Sequence, residues 1–216
     1  MSDEPRPLAR QVLEDYATLE PGDSDSWNPL RREVELEHRV ELLRRLTWAL
    51  RAAEVDAEQL SVLDVGCGTG RSTRMYLELG LLPQQLTGID LRPGALSRAR
   101  RVHPAIRWLH TPDEAWPVEA GCMSWASLCT VLSSVRAPAA RRELAAQIAR
   151  AVPPGGHLFF WDRTHALDFA GADRLTPGPW FEGFEPVWES PARVRGYGPD
   201  DAGAAETHRA WLLRRV

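Results

Sequence analysis

The chain has 216 residues, a formal net charge of −4, and 44% hydrophobic against 26% charged residues. That balance suits one well-cored domain with a short appendage and excludes a disordered or fibrous chain. All 26 basic residues are arginines, since lysine is absent, and the acidic excess argues against the broad positive field that drives nucleic-acid binding.

The opening MSDEPRPLAR is acidic and proline-rich, without the apolar core of a secretory leader. LARQVLEDYATL reads as a short helix and PGDSDSWNP as turns, so residues 1–30 form an N-terminal segment ahead of one domain over 31–216. From Leu30 to Ala53, Leu36, Val40, Leu43, Thr47 and Leu50 recur at helical spacing and mark one face of a long amphipathic helix. The pattern then alternates. Ser61–Val65 is a strand, Ser72–Leu79 a helix stopped by Gly80, Leu86–Ile89 a strand, and Pro93–Val102 a helix with proline in its first turn. Ile106–Leu109 and Ser124–Leu128 are strands, Pro138–Ala151 a helix, PPGG a turn, and HLFFW a fifth strand. Two strand candidates remain, near Pro186–Glu189 and His208–Leu213, with no clear helix between them, which predicts a terminal hairpin with one antiparallel strand. Strands alternating with helices predict an α/β fold with a parallel sheet covered on both faces. No apolar run approaches the roughly 18 residues of a membrane span, and a cytoplasmic protein is expected. Cys67, Cys122 and Cys129 lack CxxC spacing, so reduced thiols and no metal centre are expected.

The loudest feature is VLDVGCGTGRST, Val62 to Thr73. Gly66, Gly68 and Gly70 fall where the first strand turns into its helix, the place where an open α/β sheet binds ligands. Glycine there permits positive φ and removes the Cβ that would hold a ligand away, and the helix beyond offers unpaired N–H donors. The spacing is GxGxG, not the GxGxxG of a dinucleotide site, and it is preceded by Asp64. Asp90 ends LTGID about 20 residues after the loop, where a carboxylate accepts both hydroxyls of a ribose. The pocket is therefore expected to hold a nucleoside without a pyrophosphate.

DVGCGTG followed by GID resembles the class I S-adenosylmethionine-dependent methyltransferase family, over residues 30–161 and into the tail. The resemblance implies a Rossmann-like seven-stranded sheet of order 3-2-1-4-5-7-6 with strand 7 antiparallel, helices on both faces, and an N-terminal helical extension. It implies S-adenosyl-L-methionine as cofactor and S-adenosyl-L-homocysteine as product. Asp64 and the loop of Gly66, Cys67, Gly68 and Gly70 would hold the methionine portion, and Asp90 with Leu91 the ribose side. PDEAWPVEAG is similar to the family's adenine-cradling loop, which brings in Asp113 and Glu114. Cys129, after strand 4, would line the cofactor cleft with its backbone. LCTVLSSV, FFWDR and ETHRAWLLRR look like a bacterial subgroup of small methyltransferases found near glycan or natural-product genes, which points to secondary metabolism.

Catalytic residues are quieter. His165, in WDRTHA after strand 5, stands where an acceptor would meet the methyl group, and its near-neutral pKa suits a general base or a plain surface histidine. Asp162 orients substrate or caps the turn. Tyr16 and Trp27 sit in the N-terminal segment, which is either a lid over the cofactor or a layer on the domain surface. Trp48, Trp125, Trp161 and Trp211 fit core positions. His208 opens the last strand. The expected activity is O- or N-methylation of a small molecule, a sugar-derived or secondary-metabolite intermediate, by a monomer or homodimer. The rival readings are a cofactor-binding protein without turnover and a cyclase on the same scaffold.

Overall fold

The central parallel strands of this chain are short and buried on both faces, and they lie side by side in the middle of the molecule. The computed structural model of the protein describes residues 32–111, 116–135, 137–164, 176–191, 193–195 and 206–216, together with Arg10 and Leu13. In chain order these residues form α1 (Arg32–Ala53), β1 (Val62–Val65), α2 (Thr73–Glu78), β2 (Leu86–Asp90), α3 (Pro93–Val102), β3 (Arg107–His110), β4 (Trp125–Cys129), α4 (Pro138–Ala151), β5 (His157–Arg163), β6 (Phe184–Glu189), β7 (Arg193–Arg195) and β8 (Glu206–Arg215).

The sheet runs β3-β2-β1-β4-β5-β8-β6, with β7 also paired to β8. β6 pairs with residues 211–215 of β8 and β7 with residues 206–208, so the two share one lane beside β8 and the sheet is seven strands wide. β1 to β5 pair in parallel, and β8 runs antiparallel to β5, β6 and β7. This is the seven-stranded order 3-2-1-4-5-7-6 expected from the sequence, with the last strand reversed. The break between β6 and β7 at Ser190–Pro191 was not anticipated.

Central parallel strands are buried on both faces, which is why they read as continuous apolar runs. Every residue of β1, β2 and β4 is buried. Side chains alternate between two cores. Trp125, Phe159, Trp161 and Leu212 face α1 with Leu42, Leu46, Tyr76 and Trp108. Leu63, Leu128, Phe160 and Trp211 face α4 with Ile148 and Val152. Pro186 is tolerated because β6 is an edge strand, and the register shifts between Pro186 and Trp188.

Helix α1 corrects one sequence expectation. Leu36 and Val40 are 59% and 46% exposed, while His38, Leu42, Arg45, Leu46 and Ala49 are buried. The helix is rotated relative to the apolar stripe, although Leu43 and Leu50 still pack at its margin. A buried arginine is tolerated only when its donors are met. Arg45 Nη1 donates to Ser190 Oγ, and its guanidinium stands 3.4 Å from the Glu41 carboxylate. Ser190 Oγ accepts the Ala210 N–H at 2.9 Å as well, so one hydroxyl joins α1 to β8. Trp48, placed in the core by its spacing, is 40% exposed and lies edge-on to Trp188 at 6.3 Å. Trp125, Trp161 and Trp211 are buried as expected.

Candidate functional site

The parallel strands aim their carboxyl ends at one rim, where the glycine loop, Asp90, Leu91, Cys129 and Asp162 lie. β1 ends at Val65, and the chain turns through Gly66, Gly68 and Gly70 at φ 67°, 55° and 80° before α2. The Cys67 N–H donates to the Ile89 carbonyl at 3.0 Å, which extends the β1–β2 ladder by one residue. Asp90 ends β2, and its Oδ2 accepts the Gly68 N–H at 2.7 Å. The loop and the acid are thus joined directly.

The glycines differ in what requires them. A Cβ on Gly66 would meet Val131 at 2.6 Å, and one on Gly70 would meet the Trp108 ring at 2.6 Å. Both positions are therefore closed by the protein's own packing. A Cβ on Gly68 would meet only Arg92 Nη2, at 3.2 Å, so this is the position where bare backbone is covered by one flexible group. Gly88 was missed in the sequence because its backbone is ordinary strand. A Cβ there would lie 2.4 Å from Trp108 and 2.9 Å from the Cys67 sulfur. Trp108, from β3, is the hidden floor of the loop.

Asp64 is fully buried behind the loop. Its Oδ2 accepts Ser72 Oγ at 2.8 Å and Thr73 Oγ1 at 2.5 Å, tying β1 to the start of α2. Its Oδ1 is buried with no hydrogen-bond donor among the described residues. Burial pushes this carboxyl up to about 6, the two hydroxyl bonds pull it down, and nearby Asp90 raises it further. An orphaned acceptor behind a glycine loop fits a ligand that brings an N–H donor or a positive charge.

Leu91 follows Asp90, and its carbonyl accepts the His110 Nε2–H at 3.0 Å. Cys129 ends β4 with its sulfur 3.4 Å from Ser127 Oγ. Burial raises both the Cys67 and Cys129 thiols, with Asp64 adding to each, so neither is a thiolate nucleophile near neutrality. The next residue, Thr130, has φ 56°, an uncommon conformation for a β-branched side chain. Its N–H donates to the Trp161 carbonyl at 2.7 Å, which holds the ends of β4 and β5 together at the rim. Sequence inspection had no signal for this strain.

Asp162 lies at the end of β5 and is fully buried. Its Oδ2 accepts the Ser133 N–H at 3.1 Å and its Oδ1 accepts the Arg163 N–H at 2.8 Å. Burial raises its carboxyl, and the Ser133 bond opposes the rise. Geometrically it braces the turn after β4. On the opposite sheet face, Trp161 is flanked by His38 at 4.9 Å and His208 at 5.4 Å between ring centroids. His38 was not recognised in the sequence, because a lone histidine among charged helix residues carries no pattern. His165, Asp113, Glu114, Tyr16 and Trp27 lie outside the described residues, as does the segment 1–30 apart from Arg10 and Leu13. Among the described residues no cluster of His, Cys, Asp and Glu could hold a metal ion, and no helix is long and apolar enough to cross a membrane.

The profile of the methyltransferase domain family matches residues 62–156, from the start of β1 to the turn before β5. The chain is 30% identical over 132 residues to the malonyl-[acyl-carrier protein] O-methyltransferase of Salmonella typhimurium, covering 60% of this chain and 49% of that protein. It is 30% identical over 166 residues to the ubiquinone biosynthesis O-methyltransferase of Cronobacter sakazakii, covering 74% and 65%. This chain thus spans about half to two thirds of the length of these two relatives. Among solved structures it superposes on the N-methyltransferase NodS of Bradyrhizobium japonicum WM9 in complex with S-adenosyl-L-homocysteine, at TM-score 0.61, 20% identity and coverage of 96% and 98%. Residues 62–156 thus carry a methyltransferase domain, and the sheet order and glycine loop around it are those of the class I S-adenosylmethionine-dependent methyltransferase fold.

Proposed function

We propose that this protein transfers a methyl group from S-adenosylmethionine to the oxygen or nitrogen of a small-molecule acceptor, with a sugar-derived or secondary-metabolite intermediate as the substrate class. The observation that carries the reading is the Gly68–Asp90 contact within the glycine loop of a methyltransferase sheet. The curated relatives act on different acceptors, so they support the reaction type and leave the acceptor open.

The chain's residues fit the cofactor. Asp90 accepts the hydroxyls of the ribose, with Leu91 beside it. The backbone at Cys67, Gly68 and Gly70 approaches the amino-acid portion, and Asp64 supplies an acceptor to its ammonium. Asp113 and Glu114 are the proposed adenine contacts, and Cys129 lines the cleft from β4. Acids at the ends of β1 and β2 also favour a cation at this rim. The bound cofactor supplies an activated methyl group on a good leaving group. What remains for the protein is positioning and exclusion of water.

Asp162 serves here as a positioning residue, since its Oδ2 holds the Ser133 N–H at the turn beyond β4 and its Oδ1 the Arg163 N–H at the end of β5. His165 is the proposed proton acceptor for a poorly acidic hydroxyl. Tyr16 and Trp27 are proposed to cover the site. The test is incubation of purified protein with S-adenosylmethionine and a panel of small hydroxyl and amine acceptors, reading S-adenosylhomocysteine release. Acceptor-dependent release is expected. Tight cofactor binding with no release on any acceptor would overturn methyl transfer and leave the binding-protein reading.

A further inference from the structure

We propose that Arg92 is an internal competitor for the cofactor, seated on the Asp90 carboxylate where the two vicinal hydroxyls of the ribose would bind. The inference rests on the reading of Asp90 as the ribose acceptor.

Arg92 is poorly suited to its position. It is the N-cap of α3, with extended backbone at φ −97° and ψ 106°, and its side chain makes no capping bond. Ser, Thr, Asp or Asn caps a helix there, and a cation opposes the positive end of the helix dipole. No acid in the first turn of α3 compensates. A residue that breaks local rules calls for a reason at the tertiary level.

The bonds of Asp90 supply one. A carboxylate offers about four acceptor positions, two on each oxygen. Oδ1 accepts the Arg92 main-chain N–H at 2.8 Å and Arg92 Nε at 3.2 Å. Oδ2 accepts the Gly68 N–H at 2.7 Å, with Arg92 Nη2 at 3.5 Å. The two short bonds come from backbone and belong to the fold. The two long ones come from one side chain, which takes one position on each oxygen. A vicinal diol donates in the same way, one hydroxyl to each oxygen. The guanidinium therefore occupies the positions the ribose needs.

The same group covers Gly68, whose added Cβ would meet only Arg92 Nη2. Val131 and Trp108 over the neighbouring glycines are packed side chains, but Arg92 is 42% exposed and can swing into solvent. Ligand entry then exchanges one set of hydrogen bonds for another. Exposed ion pairs are weak, so the competition is modest: about a five-fold change in affinity, equal to about 1 kcal/mol.

The test uses 5′-methylthioadenosine, an uncharged nucleoside with the intact diol, and its 2′-deoxy counterpart, titrated calorimetrically into the full chain. Arg92→Ala is expected to bind 5′-methylthioadenosine about five-fold tighter than wild type at low salt. The gap should narrow as salt screens the competing pair in the wild type. The preference for the diol over the deoxy compound should rise. Arg92→Gln, a shorter polar side chain without the charge, should move the same way and serves if the alanine variant melts early. Unchanged or weaker binding in both variants overturns the proposal. Asp90→Asn separates the two layers. If it weakens 5′-methylthioadenosine while the Arg92 variants bind no tighter, only the competitor is lost. If Asp90→Asn binds as wild type does, the ribose assignment falls and the competitor with it.

Discussion

Replacing Asp64 by asparagine removes a buried carboxylate that sits behind the glycine loop, with one oxygen lacking a donor among the described residues. Its carboxyl is raised from 3.8 to about 6, mainly by burial. Between those values the native protein holds a proton that the unfolded chain has released. Stability from this group is therefore full below pH 3.8 and is lost as pH rises through 6. The whole shift corresponds to about 3 kcal/mol. Integrating the linkage relation gives a loss of about 1 kcal/mol between pH 5 and pH 7.5. Other carboxylates titrate as well, so the informative quantity is the difference between wild type and Asp64→Asn, measured by urea denaturation across that range. The asparagine carbonyl still accepts from Ser72 and Thr73, and it cannot ionise. The variant should gain on the wild type by about 1 kcal/mol as pH rises from 5 to 7.5. A difference flat to within about 0.3 kcal/mol, the usual error of such comparisons, would refute the buried-carboxylate argument.

Three further substitutions follow from packing and hydrogen bonding. Gly70→Ala forces a left-handed alanine at φ 80° and drives its Cβ to 2.6 Å from the Trp108 ring. The expected loss is about 3 kcal/mol, or a melting temperature lower by roughly 10 °C. Gly80→Ala, at φ 94° with nothing within 4 Å, should cost only about 1 kcal/mol in the same melting experiment, which isolates the steric part. Ser190→Ala removes the acceptor of buried Arg45 and of the Ala210 N–H, and should cost about 2 kcal/mol in denaturant titration. A loss no larger than that of an ordinary surface substitution would show that the guanidinium finds other partners.

The site was partly legible for physical reasons. Gly66, Gly68, Gly70 and Asp90 could be found in the sequence because a glycine turn after one strand and a carboxylate closing the next both depend on local order along the chain. Gly88 was invisible, because its need for a missing Cβ arises from Trp108 on a neighbouring strand. Arg92 looked like one more arginine until its guanidinium was seen on Asp90. Asp162 could be placed at the rim, but not its two main-chain partners.

By itself, the sequence determined the order of strands and helices, the turn at the first strand, and through them the fold. Alternation of apolar runs with helical stretches leaves few ways to build a covered parallel sheet. Only the tertiary structure decided which face of α1 is buried and which polar groups stand in the interior. The stripe through Leu36 and Val40 lost to one carrying His38 and Arg45 because a buried cation is acceptable once a hydroxyl and a carboxylate meet it. The hydroxyl, on Ser190, lies 145 positions away along the chain. Hydrophobic periodicity is a property of neighbours in sequence, whereas satisfying a buried charge is a property of neighbours in space.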